Sequence, residues 1–197
     1  MTTKPAHSNY PLVDVLAIWA ESTSTLGDPI MGNTASRTGL PWPSDPEDLR
    51  HFATVTDGRL LVMGRGTFEA LPARMKTATA LAKRPMAVLT TRSEFRVVRK
   101  NLLEVNASRV EPGDITKLVG MLAHWSKRVR VAVIGGPTVI ERLEPAIDHA
   151  TVTYISGAYP GDVRAPSTRF LDTFRSEQVL GKTAQGNTIV HYTNAAH

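Results

Sequence analysis

The chain contains no cysteine, which excludes a disulfide framework and thiolate chemistry and fits a cytoplasmic location. It has no apolar run near the roughly 20 residues of a membrane-spanning helix. Its opening, MTTKPAHSNYPL, lacks the charged-then-apolar layout of a signal peptide. Runs of one charge are also missing. The net charge of +5 is spread along the chain with no basic stripe interleaved with aromatics. That pattern argues against a nucleic-acid surface and leaves small anions such as phosphates or carboxylates as the ligands it would attract. There is no G-x-G-x-x-G dinucleotide fingerprint. No metal site is expected.

What is present fits one folded domain. The chain has 197 residues, 42% hydrophobic and 21% charged, enough to bury a real core. A flexible extension is expected over residues 1–12 and the domain proper over 13–193. VDVLAIWA (13–20) reads as a buried strand and ESTSTLGDPIMGNTASRTGLPW (21–42) as a long loop by composition, a candidate lid. Pro46 to Val55 has the signs of a helix start. Ser44 or Asp45 can cap it, Pro46 suits its first position, and Glu47 and Asp48 suit the dipole of its first turn.

Further strands are expected at RLLVMG (59–64), MAVLTT (86–91), LLEVN (102–106) and VRVAVIGG (129–136). Helices are expected at RGTFEAL, at ITKLVGMLAHWSK (115–127) and at PTVIERLEPAI. From Ala150 strands follow one another without helices between them. The fold class is therefore α/β: a single domain with a mixed, mostly parallel central sheet, helices on both faces and an antiparallel C-terminal end.

Three places carry possible chemistry. VIGGPTVIERL ends a buried strand in two glycines and opens a helix, a turn that lets backbone approach an anion such as a diphosphate, or serves only as a tight connection. VMGRGTF repeats the theme, with Gly64 and Gly66 flanking Arg65 and with Thr67 able to cap or donate. Two such turns at strand ends in one α/β sheet favour an extended, multiply phosphorylated ligand. Asp48, flanked by Leu49 and Phe52, is the carboxylate placed toward the apolar side. It either serves the helix dipole or, if buried, has a raised pKa suited to binding or protonating a nitrogen heterocycle.

In order, AIWA (17–20), LPW (40–42), PEDLRHF (46–52), VMGRGTFEALP (62–72), KRPMAVLTTR (83–92), VIGG (133–136) and TVTYI (151–155) resemble the dihydrofolate reductase family, from about Val13 to Tyr192. The resemblance implies hydride transfer from NADPH to 7,8-dihydrofolate, giving tetrahydrofolate. It places Asp48 at the polar end of the pteridine pocket, with Thr153 supporting it and Trp42 beside the active-site water. Ile18, Ala20, Leu49, Phe52 and Leu71 match the substrate walls, and Arg84 matches the arginine that pairs with the glutamate tail.

For the cofactor, the resemblance implies Ala20, Gly64, Arg65, Thr67, Thr90, Thr91, Arg92, Ile134, Gly135, Gly136 and Thr138, with a cis Gly135–Gly136 peptide. Pro137 replaces a glycine and removes one N–H, Ile140 stands where an aromatic is common, and Gly66 leaves Arg65 and Arg92 for the 2′-phosphate. The long segment between Gly27 and Leu40 implies slower lid closure than in short-loop members. Antifolates are plausible ligands and a monomer is expected. Two other readings remain: a riboflavin-pathway reductase of the same fold, or a non-catalytic folate- or nucleotide-binding scaffold.

Overall fold

Period-two burial along the strands sorts this chain into two cores, one on each face of a single sheet. The structure, a computed structural model, describes residues 12–92 and 95–194. The expected extension lies outside the described residues except for Leu12, which is exposed. In chain order the elements are β1 (Asp14–Ser24), β2 (Pro29–Gly32), α1 (Pro46–Val55), β3 (Leu60–Gly64), α2 (Arg65–Ala70), α3 (Ala78–Lys83), β4 (Met86–Thr90), β5 (Phe95–Arg99) and β6 (Leu102–Asn106). They continue with α4 (Ile115–Ser126), β7 (Arg130–Val133), α5 (Pro137–Leu143), β8 (His149–Tyr159), β9 (Val163–Arg164), β10 (Ser176–Lys182) and β11 (Thr188–Thr193).

The strand order is β10-β11-β8-β1-β7-β3-β4-β6-β5, with β2 pairing β1 and β9 off this path. The centre, from β8 through β6, is parallel. β11 and β10 close one side antiparallel, and β5 closes the other. On one face Val15, Ala17 and Trp19 join Leu118 and Leu122 of α4 and Ile140 and Leu143 of α5 in the larger core. On the opposite face Leu16 and Ile18 join Leu61, Met63, Leu81 and Ile134, with Phe52 and Val55 of α1 packed against them. Successive β1 side chains thus alternate between the two cores. No helix among the described residues is long and apolar enough to cross a membrane.

Several expectations need correction. β1 runs on to Ser24 and β2 forms inside the segment read as loop, because pairing with β1 and β9 supplies what Ser, Thr and Gly composition does not. β5 was not foreseen: FRVVR is exposed throughout and owes its strand form to β6 alone. On α4 the buried residues are Ile115, Leu118, Val119, Gly120, Leu122 and Ala123. Met121 and Trp125 of the expected face are only half-buried at its margin.

The amino ends of the central strands are tied by charge. Arg59, 4% exposed, places Nη1 2.8 Å from Asp14 Oδ2 and donates to the carbonyls of Val55 and Val131. His149 Nε2 lies 2.6 Å from Asp14 Oδ1. Burial works to raise the Asp14 pKa, but the His149 hydrogen bond and the Arg59 charge outweigh it and hold the carboxyl below its ordinary value. A depressed carboxyl stabilises the fold above its unfolded pKa, and that contribution is lost as pH falls through the folded pKa. Asp14→Asn is therefore expected to lower stability at pH 7 by about 1–3 kcal/mol. The gap from wild type should close below the carboxylate range. Urea unfolding at neutral and acid pH measures it, and an equal gap at both would refute the assignment.

Candidate active site

The site begins with the cap of α1. Asp45 Oδ1 accepts from the backbone N–H of Glu47 (2.9 Å) and of Asp48 (3.3 Å), and Pro46 fills the first helical position, which needs no donor. This start aims Asp48 at β8, where Thr153 Oγ1 donates to Asp48 Oδ1 at 2.6 Å. Thr153 is 2% exposed and pairs in register with Ala20 of β1. Burial raises the Asp48 pKa, the Thr153 bond resists the rise, the nearby Asp45 charge reinforces it and His51 opposes it. The outcome is a carboxyl above its ordinary value, able to hold a proton closer to neutral pH than a surface aspartate.

Of the expected site residues, Ile18 and Ile134 are buried in the smaller core, with Phe52 of α1 and Leu71 half-buried at its margin. Leu49 is 46% exposed and does not close a core face. Trp42 is buried, its ring 6.2 Å from that of Tyr159 in an edge-on arrangement. Arg84, just past α3, donates from Nη2 to the Ala53 carbonyl at 3.1 Å. It lines a cleft of about 430 Å³ together with Arg74, Thr77 and Lys83.

At the ends of β3 and β7 backbone replaces side chain. Gly64 N–H donates to Gly135 O at 2.8 Å, and the Gly135–Gly136 peptide is cis. Gly135 has φ +120, a conformation L residues rarely adopt, and a Cβ there would sit 3.4 Å from both Thr67 Oγ1 and Met31 Cε.

A family model described as "Dihydrofolate reductase" matches residues 16–194. The chain belongs to the dihydrofolate reductase family. The dihydrofolate reductase of Staphylococcus aureus (strain Mu50 / ATCC 700699) is 32% identical over 152 residues, covering 77% of this chain and 82% of the relative. Dihydrofolate reductase type 8 of Escherichia coli is 28% identical over 128 residues, 62% of this chain and 67% of that one. A solved structure of dihydrofolate reductase from Enterococcus faecalis, complexed with NADP(H) and RAB-propyl, shares the fold at a TM-score of 0.64 and 24% identity. That match covers 93% of this chain and 98% of the other.

Within this dihydrofolate reductase the remaining expected residues fall at the last residue of β4 and in the turn and helix starts that follow β3, β4 and β7. Arg65 is not a free cation: its Nη2 lies 2.7 Å from Glu104 Oε1 of β6. Thr90 Oγ1 accepts from Arg92 N–H at 3.1 Å, and Asn106 Nδ2 donates to Thr91 O at 3.2 Å, shaping the turn after β4. Thr138 is exposed in the first turn of α5.

The expected lid is largely structured. Ile30 is 2% exposed between β1 and β9, and residues 33–40 close on themselves through Asn33 N–H to Gly39 O (2.9 Å) and Ser36 Oγ to Leu40 O (2.7 Å). The segment is docked as well. Thr34 N–H donates to Asp162 Oδ1 at 2.7 Å, its hydroxyl donates to the other Asp162 oxygen, and Asn33 Nδ2 donates to Pro160 O at 2.8 Å. Sequence reasoning missed Asp162 and Gly161. A Gly-Asp pair in a Gly/Pro-rich connection reads only as a turn.

Proposed function

We propose that the NADPH-dependent reduction of 7,8-dihydrofolate to tetrahydrofolate, the reaction of this family, is carried here by Asp48 as the group that binds the pteridine edge and promotes its protonation. The observation that carries this reading is the 2.6 Å Thr153–Asp48 bond. It supports the reading because it fixes a carboxyl of raised pKa on α1, the helix whose Phe52 packs on the smaller core that holds Ile18 and Ile134, with Leu71 at its margin, all residues assigned to the pocket. Thr153 keeps one oxygen of Asp48 in a fixed orientation. Ala20 and Leu49 are assigned to the walls of the same pocket, and Trp42 to the position beside its active-site water.

The cofactor side fits its group. Gly64, Gly135 and Gly136 bring backbone together at two strand ends, and a Cβ would contact Val139 Cγ2 at 3.3 Å from Gly64 and Thr67 Oγ1 at 3.4 Å from Gly135, so the absent side chains leave the backbone open to an approaching diphosphate. NADPH, when bound, supplies the hydride. Gly64, Thr67, Ile134, Gly135, Gly136 and Thr138 would hold its diphosphate and nicotinamide side, and Arg65, Thr90, Thr91 and Arg92 its adenosine side. Because Glu104 already engages Arg65, Arg92 is the freer cation for a 2′-phosphate. The Enterococcus faecalis enzyme complexed with NADP(H) and RAB-propyl supports a pocket open to other small molecules, antifolates among them.

Arg84 is assigned to the glutamate tail of the substrate, where a planar guanidinium can engage a carboxylate through two donors. Arg84→Ala is expected to raise KM for dihydrofolate about 10- to 100-fold while changing kcat little. Following NADPH loss on adding dihydrofolate tests both the activity and this split. An unchanged KM would remove Arg84 from the substrate site. A parent protein without turnover would favour the binding-scaffold reading.

A further inference from the structure

The turn between β10 and β11, residues 183–187, is buried at its two ends, Thr183 and Asn187, while residues 184–186 are exposed. It is seated on the start of α1. Asn187, 3% exposed, uses both ends of its carboxamide: Nδ2 donates to Asp45 Oδ2 at 2.6 Å, and Oδ1 accepts from Ser156 N–H of β8 at 2.9 Å. Its own N–H donates to Thr183 Oγ1 at 3.3 Å, and Thr183 in turn hydrogen-bonds Asp45. Beside them Ala184 N–H donates to Glu47 Oε2 at 2.6 Å, and Gln185 Nε2 donates to Ser44 O at 3.1 Å.

A helix cap needs one side-chain oxygen. Asp45 provides that with Oδ1, so Oδ2, buried and bonded to a residue 142 positions away, is doing something more. Asp45 lies three residues before Asp48 on the same helix start, and Ser156 lies three residues after Thr153 on the same strand. Asn187 therefore ties α1 to β8 a second time, next to the Thr153–Asp48 bond.

We propose that Asn187 and Asp45 are positioning residues for the reductase reaction, a clamp that seats the first turn of α1 on β8 so that Asp48 is held against Thr153 beside a fixed negative charge. The proposal rests on the reading of Asp48 given above. Burial works to raise the Asp45 pKa, but the bonds from Thr183, Asn187 and the backbone of Glu47 and Asp48 outweigh it and keep the carboxyl ionised at neutral pH. The groups facing Asp48 are Asp45 and His51 from α1 and the Thr153 hydroxyl from β8, and of these Asp45 opposes its ionisation. The 183–187 turn brings Thr183, Gln185 and Asn187 to this region, none of which titrates. If Asp48 acts protonated, the rate falls as pH rises through its pKa. Removing the Asp45 charge moves that fall to lower pH.

The test uses the full chain, with single-turnover hydride transfer measured from acid to basic pH and NADPH binding measured alongside. Asp45→Asn keeps an oxygen for the cap. It is expected to move the fall in rate to lower pH and also, because its Nδ2 would face the Nδ2 of Asn187 donor to donor and release the clamp, to slow hydride transfer about tenfold at every pH, with NADPH affinity unchanged. Asn187→Ala should slow hydride transfer about tenfold at every pH. Variants that lose only thermal stability, with wild-type rates and an unmoved pH profile, would overturn the clamp. If Asn187→Ala does not fold, the Asp45→Asn profile decides the matter alone. Asp48→Asn run in parallel separates the two claims. Full activity in that variant removes the reading of Asp48 and the clamp together, whereas its loss with an unmoved Asp45→Asn profile removes only the clamp.

Discussion

Asp48→Asn is expected to lower kcat for dihydrofolate by about 10²- to 10⁴-fold near neutral pH, the range ascribed to a positioned proton-handling group. The replacement is close to isosteric, and its side-chain oxygen can still accept the Thr153 hydroxyl, so the fold and NADPH binding should survive. The loss would then report proton chemistry rather than collapse of the pocket. Stability should move the opposite way. A carboxyl whose folded pKa is raised binds more protons folded than unfolded, so it costs stability as pH rises above its ordinary value. Asp48→Asn should therefore have a higher Tm than wild type at pH 7, with the difference vanishing at acid pH. Thermal melts at two pH values and stopped-flow hydride transfer check both halves. A fully active variant, or one with lowered Tm at neutral pH, would contradict this account.

Gly161→Val should have the second large effect. A Cβ at Gly161 would lie 2.5 Å from Ile30 Cδ1 and 2.7 Å from the carbonyl oxygen of Gly32. The isoleucine tip could turn aside. The Gly32 oxygen is backbone of β2 and cannot, so the 159–164 segment and β2 must part, weakening the Thr34–Asp162 and Asn33–Pro160 bonds. Met31, whose methyl lies near the Gly135 turn, would move with them. Misplacement on the order of 1 Å can cost about 10²-fold in rate, and a loss of that order in hydride transfer is expected. Denaturant unfolding should change far less, since β9 is a two-residue strand off the main path of the sheet. A variant that keeps the wild-type transfer rate would show that this docking does not govern the chemistry.

Local chemistry made part of this molecule legible in its sequence. α1 has the expected limits because Asp45, Pro46 and the first-turn acids determine its start within a few residues of chain. β6 and the central strands follow from apolar runs that no solvent-exposed segment would carry. β2 and β5 were invisible for the opposite reason: PIMG and FRVVR become strands through partners elsewhere, and their own composition reads as loop or as charged surface. The candidate site divides the same way. Asp48 and the glycine turns stand in recognisable local patterns. The clamp of Asn187 on Asp45 does not, since a Gly-Asn turn between two strands reads as a hairpin and carries no sign of the helix it will meet.

The two cores of the sheet are unequal, and the proposed site residues Ile18 and Ile134 lie in the smaller one. Cooperative stability comes mostly from the face of α4 and α5, where no proposed site residue contributes to the packing. Thermal agitation therefore loosens α1 and its neighbours before it opens the rest, because local openings favour the regions with fewest buried apolar contacts. Inactivation is therefore expected to precede melting: on warming, turnover should fail in a chain that is still folded by circular dichroism, and it should return on cooling without passing through the unfolded state.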